Sequence, residues 1–399
     1  MPWKETQIMN QRTEFAIRSL SEDNFSDLCR EYGISRKTGY KWKERYHAQG
    51  AEGLADESRR PKTHAKQLEE PTVCEIVRLK QAHSKWGPKK IRELYRRKHG
   101  AKDLPSLSSF KRVLEKSGLT VKRRRRRPKA SEGRLNSGRV AQESNDVWTI
   151  DFKGWWRDQE GLKVEPLTVR DEWSRYLFDI RLLENSRTET VKSCFETLFK
   201  KYGLPKAIRS DNGPPFASSQ ALLGLSRLSA WWLSLGIELE RGRPGCPQDN
   251  GGHERMHRDI LKELQLEGVG YEQGTFDLWR DQYNLERPHE ALEMKTPGEI
   301  YQPSKQPYLG TPEELKYPGM EVRKVNKTLG VIHYQKECYK LTASIGGWTV
   351  GLKRVEEEKM EIWFAKQLLG HLDESTRKFT GLAAPEKKPS GEESKKGVE

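Results

Sequence analysis

The chain has 399 residues, of which 33% are charged, and its formal net charge at pH 7 is +15. No run of about 18 apolar residues occurs, so we expect no membrane span, and the five scattered cysteines favour neither a disulfide framework nor a zinc ribbon. A net charge this positive favours a polyanionic partner, most commonly nucleic acid. Residues 1–5 lack the apolar segment of a secretory signal, so we predict a cytoplasmic protein.

Residues 24–47 have the pattern of two short helices around a tight turn. One apolar helical face is formed by Phe25, Leu28, Cys29 and Tyr32. Gly33 suits the turn and Ser35 can cap a second, basic helix. An ordinary helical hairpin would look similar, but a second such unit follows, so we assign residues 1–60 to a helix-turn-helix DNA-binding domain. Its predicted DNA contacts are Arg36, Lys37, Tyr40 and Lys41.

A second, winged helix-turn-helix domain is predicted over residues 61–121, with three apolar helical faces and capping candidates Ser106 and Ser108 before the third helix. Its predicted DNA contacts are Ser109, Lys111 and Arg112. The linker that follows, residues 122–145, begins with a basic run at 122–129, which is either a solvated tract or a phosphate contact without sequence preference. The predicted contacts of this run are Arg123, Arg124, Arg125, Arg126 and Arg127.

Residues 146–305 read as three strands, then a helix, a strand, a helix, a strand and a helix, which is the order of an α/β RNase H-like domain with a mixed five-stranded sheet. Residues 318–372 alternate in short segments with glycine-rich turns, which predicts a small β-barrel of five strands. The polar residues 373–399 predict a disordered tail. The expected fold is therefore α-helical units, an α/β core and a small C-terminal barrel.

Three acidic residues of the core stand in contexts that suggest chemistry. Asp151 lies in an apolar strand, where a carboxylate is costly unless it is paired or holds a metal ion. Asp211 follows a short strand and begins a sharp turn, a common place for sites in α/β sheets. Glu254 falls early on a helix. Singly, each reads as a turn residue or a solvated side chain, but together and in this fold order they can converge on Mg²⁺.

The strings that carry a family resemblance are WTIDFKG, RSDNGPPF, LSAWWLSLGIELERGRPGCPQDNGGHERMHRDILKE and YNLERPHEAL. They resemble the integrase core of DDE-type transposases and retroviral integrases, and especially bacterial insertion-sequence transposases close to the IS481 type. The resemblance implies an RNase H-like fold, with Asp151, Asp211 and Glu254 as catalytic residues and metal ligands. The steps between these acids are 60 and 43 residues, and the second is longer than in retroviral integrases.

The resemblance also implies cofactors and partners. Two Mg²⁺ ions per site, replaceable by Mn²⁺, would activate the attacking oxygen and stabilise the leaving one in phosphodiester hydrolysis and strand transfer. The partners would be double-stranded DNA, as element ends and target, and further copies of the chain, in the nucleoid of a bacterial cytoplasm. Arg255 and Arg258 are candidate phosphate contacts or a solvated helix face. The YNLERPHEAL segment is interpreted as packing around the core.

Three other functions fit part of the sequence. His253-Glu254-Arg255-Met256-His257 matches H-E-x-x-H, the zinc protease signature, but this leaves both aspartates and the positive charge unexplained. A DNA-binding regulator with an inactive core would not need the intact acidic triad. A plain RNase H-like nuclease would not need two DNA-binding units.

Deleting residues 122–129 should weaken binding to every DNA sequence, because the run contacts phosphates rather than bases. Each lost phosphate contact should lower the slope of log binding constant against log salt by about 0.9. Titrations of specific and unrelated duplexes at several salt concentrations measure this slope. An unchanged slope would refute the phosphate contact.

Overall fold

The computed structural model describes residues 8–21, 23–56, 68–120, 138–152, 156–157, 163–183, 185–218, 221–242, 251–264 and 272–382. The chain divides into two compact units, Met1–Glu69 and Glu70–Glu399. The basic run at 122–129, with its five predicted arginine contacts, lies outside the described residues. Within the described residues, no helix combines the length and apolar character that crossing a membrane requires.

The first unit contains the predicted helix-turn-helix. Its helices are α1 (Ile8–Ser21), α2 (Phe25–Glu31) and α3 (Arg36–Gln49), followed by a 3₁₀ turn at Gly50–Leu54. Ser35 caps α3 by accepting a hydrogen bond from the Thr38 N–H, and Gly33 takes a φ of 62°, as a turn between two helices requires. Helix α1, which was not predicted from the sequence, completes the core with Phe15.

The second helical unit opens the larger part of the chain. It comprises α4 (Glu70–Ala82), α5 (Pro88–His99) and α6 (Leu107–Lys116). Ser106 caps α6 by accepting from the Ser109 N–H at 3.2 Å, so the cap is Ser106 and not Ser108. The three predicted helices are present, but no strand occurs in described residues 68–120, so a wing is not seen there.

The core of the larger unit is a mixed five-stranded sheet, as predicted. Its strands are β1 (Val147–Phe152), β4 (Leu167–Asp171), β5 (Leu177–Arg181), β6 (Ala207–Ser210) and β7 (Glu238–Arg241), with a short hairpin of β2 (Trp156–Arg157) and β3 (Lys163–Val164) beside it. The strand order is β5-β4-β1-β6-β7. β1, β6 and β7 run parallel, whereas β4 is antiparallel to both of its neighbours.

Helices cover both faces of this sheet. They are α7 (Thr188–Tyr202), α8 (Arg227–Ser234), α9 (Gly251–Leu264), α10 (Gln273–Leu285) and α11 (Pro297–Ile300). Because side chains alternate along a strand, Trp148 and Ile150 of β1 pack into an apolar core with α7 and α8. Thr149, between them, faces the other way, towards α9. A second apolar cluster, including Met256 and Phe276, joins α9 and α10 to β5.

The C-terminal region differs from the predicted barrel. Its strands are β8 (Glu321–Lys324), β9 (Val331–Tyr334), β10 (Glu337–Lys340), β11 (Thr349–Glu356), β12 (Lys359–Phe364), β13 (Gln367–Asp373) and β14 (Lys378–Gly381). Five of them form an open sheet in the order β14-β13-β12-β11-β8, and β9 and β10 form a separate hairpin on the same apolar core. The edges β14 and β8 do not pair, so the sheet does not close. The disordered tail predicted from residue 373 instead starts with strand β14.

Candidate active site

Asp151 and Asp211 lie side by side at one edge of the core sheet. Strands β1 and β6 are parallel neighbours, and their last registered pair is Thr149 with Arg209. Two residues further along each strand come Asp151, within β1, and Asp211, directly after β6. Parallel register therefore places the two aspartates next to each other at the carboxyl ends of the strands, where α/β sheets commonly build sites.

Asp211 has the environment of a carboxylate that a cation would stabilise. Its Oδ1 accepts a hydrogen bond from the Gly213 N–H at 3.2 Å. Desolvation by the surrounding turn raises the pKa of Asp211 above its usual value, and the bond from Gly213 acts in the opposite direction. Asp211 is nevertheless exposed, so water screens this effect and the carboxylate is accessible to a cation from solvent.

Helix α9 is fastened to the polar face of the sheet by two histidines. The His253 ring nitrogens lie 2.9 Å from Thr149 Oγ1 and 3.0 Å from Thr168 Oγ1. The His257 Nε2 lies 2.8 Å from the same Thr168 oxygen, and its Nδ1 lies 3.8 Å from Asp151 Oδ2. The Thr168 hydroxyl also donates to the Asp151 carbonyl at 2.9 Å. One threonine hydroxyl thus joins both histidines to the strand of Asp151.

The protonation of these groups follows from the same contacts. A hydroxyl carries one hydrogen, so if Thr168 donates to the Asp151 carbonyl, both imidazoles must donate their Nε2–H to Thr168. His253 is fully buried, and burial, together with the nearby Arg170 guanidinium, lowers its pKa well below the usual range. His253 is therefore neutral and serves as a hydrogen-bonded anchor of α9.

Glu254 is exposed and lies on one flank of α9. The opposite flank carries Gly252, where a Cβ would meet the Arg170 guanidinium of β4. It also carries Asp259, which pairs with Arg287 beyond α10. Because successive residues are about 100° apart around a helix, Glu254 lies on the flank of α9 that faces away from Arg170 and Arg287.

The three acids do not form a finished metal site in this structure. Among the described residues, no three His, Cys, Asp or Glu side chains are placed to hold a metal ion together. His257 Nδ1 lies 3.8 Å from Asp151 Oδ2, Asp211 directly follows the neighbouring strand β6, and Glu254 is on helix α9. Residues 243–250, which lead into α9, lie outside the described residues.

The H-E-x-x-H alternative finds no support in this geometry. A zinc protease needs the ring nitrogens of both histidines on the metal, with the intervening glutamate as the base. Here both rings point into the protein and engage Thr149 and Thr168, while Glu254 points outward.

The predicted DNA contacts differ in how available they are. The exposed ones on α3, α6 and α9 are Arg36, Lys37, Tyr40, Lys41, Lys111, Arg112, Arg255 and Arg258. Tyr40 also stacks on Phe25, with ring centroids 4.3 Å apart, so part of its role is packing. Ser109 is half-buried and shares a hydrogen bond with the Ser106 hydroxyl at 3.1 Å. It takes part in the helix cap, and its contact with DNA stays a prediction.

Sequence reasoning missed the polar residues beneath α9. Thr168 and Arg170 alternate with Leu167 and Val169 in β4. That alternation is the available signal for a strand with one polar face. It could not reveal that Thr168 would bond two histidines located 85 and 89 residues later.

Replacing Thr168 with valine should loosen α9, because two imidazoles and a carbonyl lose a buried partner. Each unsatisfied group costs about 1–3 kcal/mol. Hydrogen exchange measured by mass spectrometry should show faster exchange of the α9 amides. Thr197→Val is the matched control, since Thr197 is exposed on α7 and its hydroxyl bonds the Ser193 carbonyl of its own helix. Equal exchange of α9 in both variants would contradict the anchoring role.

Known protein families match the N-terminal helical region and the core of this chain. The family described as Integrase core domain matches residues 141–247, and a second family of the same description matches residues 235–297. The family described as Helix-turn-helix domain matches residues 11–62, and the Homeodomain-like domain matches residues 38–114. The core matches contain Asp151, Asp211 and Glu254.

Similar proteins come from bacterial insertion elements. The chain is 29% identical over 195 residues to the insertion element IS407 uncharacterized 31.7 kDa protein of Burkholderia multivorans, covering 47% of this chain and 66% of that protein. It is 27% identical over 231 residues to the insertion element IS476 uncharacterized 39.2 kDa protein of Xanthomonas euvesicatoria, covering 56% of this chain and 63% of that protein. The chain thus spans just under two thirds of each relative.

A solved structure with local likeness is the HTLV-2 integrase catalytic core domain in complex with magnesium. It is 17% identical, with a TM-score of 0.33, and the match covers 41% of this chain and 100% of that one. The family matches and the insertion-element relatives carry the conclusion. The resemblance to DDE-type transposases and integrases is confirmed: residues 141–297 match integrase core domains, and residues 11–114 match helix-turn-helix and homeodomain-like domains.

Proposed function

We propose that this protein is a transposase that binds the ends of a DNA element and joins them to target DNA. The observation that carries the proposal is the pair of aspartates at the ends of adjacent parallel strands. Helix α9, which bears Glu254, lies across the same sheet. This arrangement lies within the residues that match the integrase core family.

The donor set fits a hard divalent cation. Asp151, Asp211 and Glu254 offer only carboxylate oxygens, which Mg²⁺ prefers, and Mn²⁺ accepts the same ligands. These residues would hold two ions, which would activate the attacking oxygen and stabilise the leaving one. Glu254 is exposed, so its side chain is able to turn towards the aspartates when a cation and DNA neutralise their charge.

The reaction consists of two displacements at phosphorus in the same site. In the first, water attacks a phosphodiester at the element end, one P–O bond forms, another breaks, and a 3′-hydroxyl is released. In the second, that 3′-hydroxyl attacks a phosphodiester of the target. Each step breaks one P–O bond and forms another. Because the two bonds are of the same kind, the reaction needs no nucleotide as an energy source.

The chain's own residues would position the DNA for these steps. The exposed basic residues of α3 and α6 would read the element end, as the second helix of a helix-turn-helix does in the major groove. Arg255 and Arg258, exposed on α9 next to Glu254, are placed to hold phosphates near the acids. His257 restrains Asp151 from the protein side. We expect at least two copies of the chain on the DNA when two ends are joined.

Strand transfer with a labelled element end tests this function. Asp211→Asn should reduce both cleavage and joining by about a hundredfold or more, since even loss of groups behind metal ligands costs 10- to 100-fold. Affinity for the element end in the absence of metal should be unchanged. Asp281→Asn is the matched control, because Asp281 is exposed on α10 and pairs with Arg280 of the same helix.

The outcomes separate the alternatives. Cleavage without joining by the wild type would indicate a nuclease, and binding with neither reaction would indicate a regulator with an inactive core. Equal joining by wild type and Asp211→Asn would refute the assignment of the triad.

A further inference from the structure

We propose that Arg287 is a positioning residue that couples the second helical unit to the catalytic helix α9, so that a DNA end held by α6 arrives in fixed register with Glu254. The predicted effect on DNA cleavage rests on the proposed function, whereas the contacts of Arg287 do not depend on it. It gives a role to the YNLERPHEAL segment, which the catalytic proposal leaves unused.

Arg287 forms ion pairs with two carboxylates on the flank of α9 opposite Glu254. Its Nη2 donates to Asp259 Oδ2 at 2.6 Å, and its Nη1 donates to Glu263 Oε1 at 3.2 Å. The indole N–H of Trp279 donates to the same Glu263 carboxylate at 2.7 Å. Burial raises the pKa of Glu263, and the Arg287 guanidinium opposes that shift. Removing Arg287 would therefore leave a largely buried carboxylate without its cation, which is strongly destabilising.

On its other side, the Arg287 guanidinium packs near the second helical unit, α4–α6. Its guanidinium carbon lies 6.0 Å from the centroid of the Trp86 ring, and the Lys90 ammonium lies 5.8 Å from the same ring. Trp86 is only 3% exposed and stands in the turn between α4 and α5. Burial and the charge of Arg287 lower the pKa of Lys90 to about 8. The guanidinium therefore lies between the carboxylates of α9 and an indole of the DNA-binding unit, away from bulk water.

Further contacts of α5 reach the chain just after Arg287. The Lys89 ammonium donates to Glu290 Oε2 at 2.6 Å. Arg97 donates to the Met294 carbonyl and to Glu299 Oε2, both at 3.0 Å. All of these contacts come from α5, so α6 keeps its basic residues exposed. The unit is thus docked through α5 and the turn that precedes it, whereas the basic residues Lys111 and Arg112 of α6 are exposed.

Zero-length carbodiimide crosslinking of the full chain tests the docking directly. The reagent joins an amine to a carboxylate in contact, so it should link Lys89 to Glu290. The control pair is Lys98 with Glu75, which lie 2.9 Å apart inside the helical unit and should link regardless of docking. Mass spectrometry of mixed isotope-labelled and unlabelled chains separates links within one chain from links between chains.

Arg287→Met should reduce the Lys89–Glu290 crosslink about tenfold relative to the control pair, as expected if the docked population falls to about a tenth. Arg287→Lys, which keeps the charge but not the two-pronged geometry, should restore part of it. Arg354→Met, in the C-terminal sheet, should change neither crosslink. An undiminished Lys89–Glu290 crosslink in Arg287→Met would overturn the proposal.

Charge reversal provides a second set of variants that leaves the buried network intact. Lys89→Glu and Glu290→Lys should each abolish the crosslink between positions 89 and 290, and the double variant should restore it. In element-end assays, Arg287→Met should cleave about tenfold or more slowly than wild type, since small displacements of reacting groups have effects of this size. Its affinity for the DNA end should be unchanged.

These readouts keep the two proposals apart. Absence of strand transfer in the wild type would defeat the proposed function and leave the crosslinking result standing. An altered crosslink with unaltered cleavage would defeat the coupling, because docking would then have no bearing on the reaction.

Discussion

The hydroxyl of Thr168 is the contact on which the position of the candidate site depends. It lies within hydrogen-bond distance of two imidazoles of α9 and donates to the carbonyl of Asp151, all in a buried layer. Buried polar groups are costly unless they are bonded, and these are bonded only when α9 lies in one register on the sheet. The same bonds therefore fix the helix of Glu254 relative to the strand of Asp151.

The two faces of the core sheet differ in character: one is packed with apolar side chains, and the other carries the polar residues next to the candidate site. The α7–α8 face holds the large aromatic cluster, with Trp148 and Trp232 fully buried. The α9 face has a polar layer instead, and such a layer confers specificity of register more than it adds stability. Arg287 binds the opposite flank of α9, and Glu254 is exposed to solvent.

Local patterns were sufficient to predict much of this molecule. The helix-turn-helix followed from Gly33, the Ser35 cap and the spacing of apolar residues, and the mixed sheet followed from the order of strands and helices. The prediction of a closed barrel was wrong because barrel closure depends on pairing between distant strands. Whether β8 and β14 close a barrel is decided between residues more than fifty positions apart, which no local pattern records.

The candidate site shows the same division between local and tertiary information. The strand contexts of Asp151 and Asp211 were enough to single them out, because a carboxylate at a strand end is a local signal. His253 and His257 matched a zinc motif, and their helical spacing gave no sign of the anchoring role. Only the partner strand β4 decides between these roles. The YNLERPHEAL segment was interpreted as packing around the core, and Arg287 does pack there, but its partners on α9 and Trp86 are distant in sequence and were not predictable from local patterns.

We propose that Asp151, Asp211 and Glu254 share metal ions once DNA is bound. Crystals of the full chain with element-end DNA and Mn²⁺, measured for the anomalous signal of manganese, test it most directly. We expect manganese within about 2.0–2.3 Å of a carboxylate oxygen from each of the three residues. Manganese bound to the imidazoles of His253 and His257, or held by the aspartates with Glu254 turned to solvent, would contradict it.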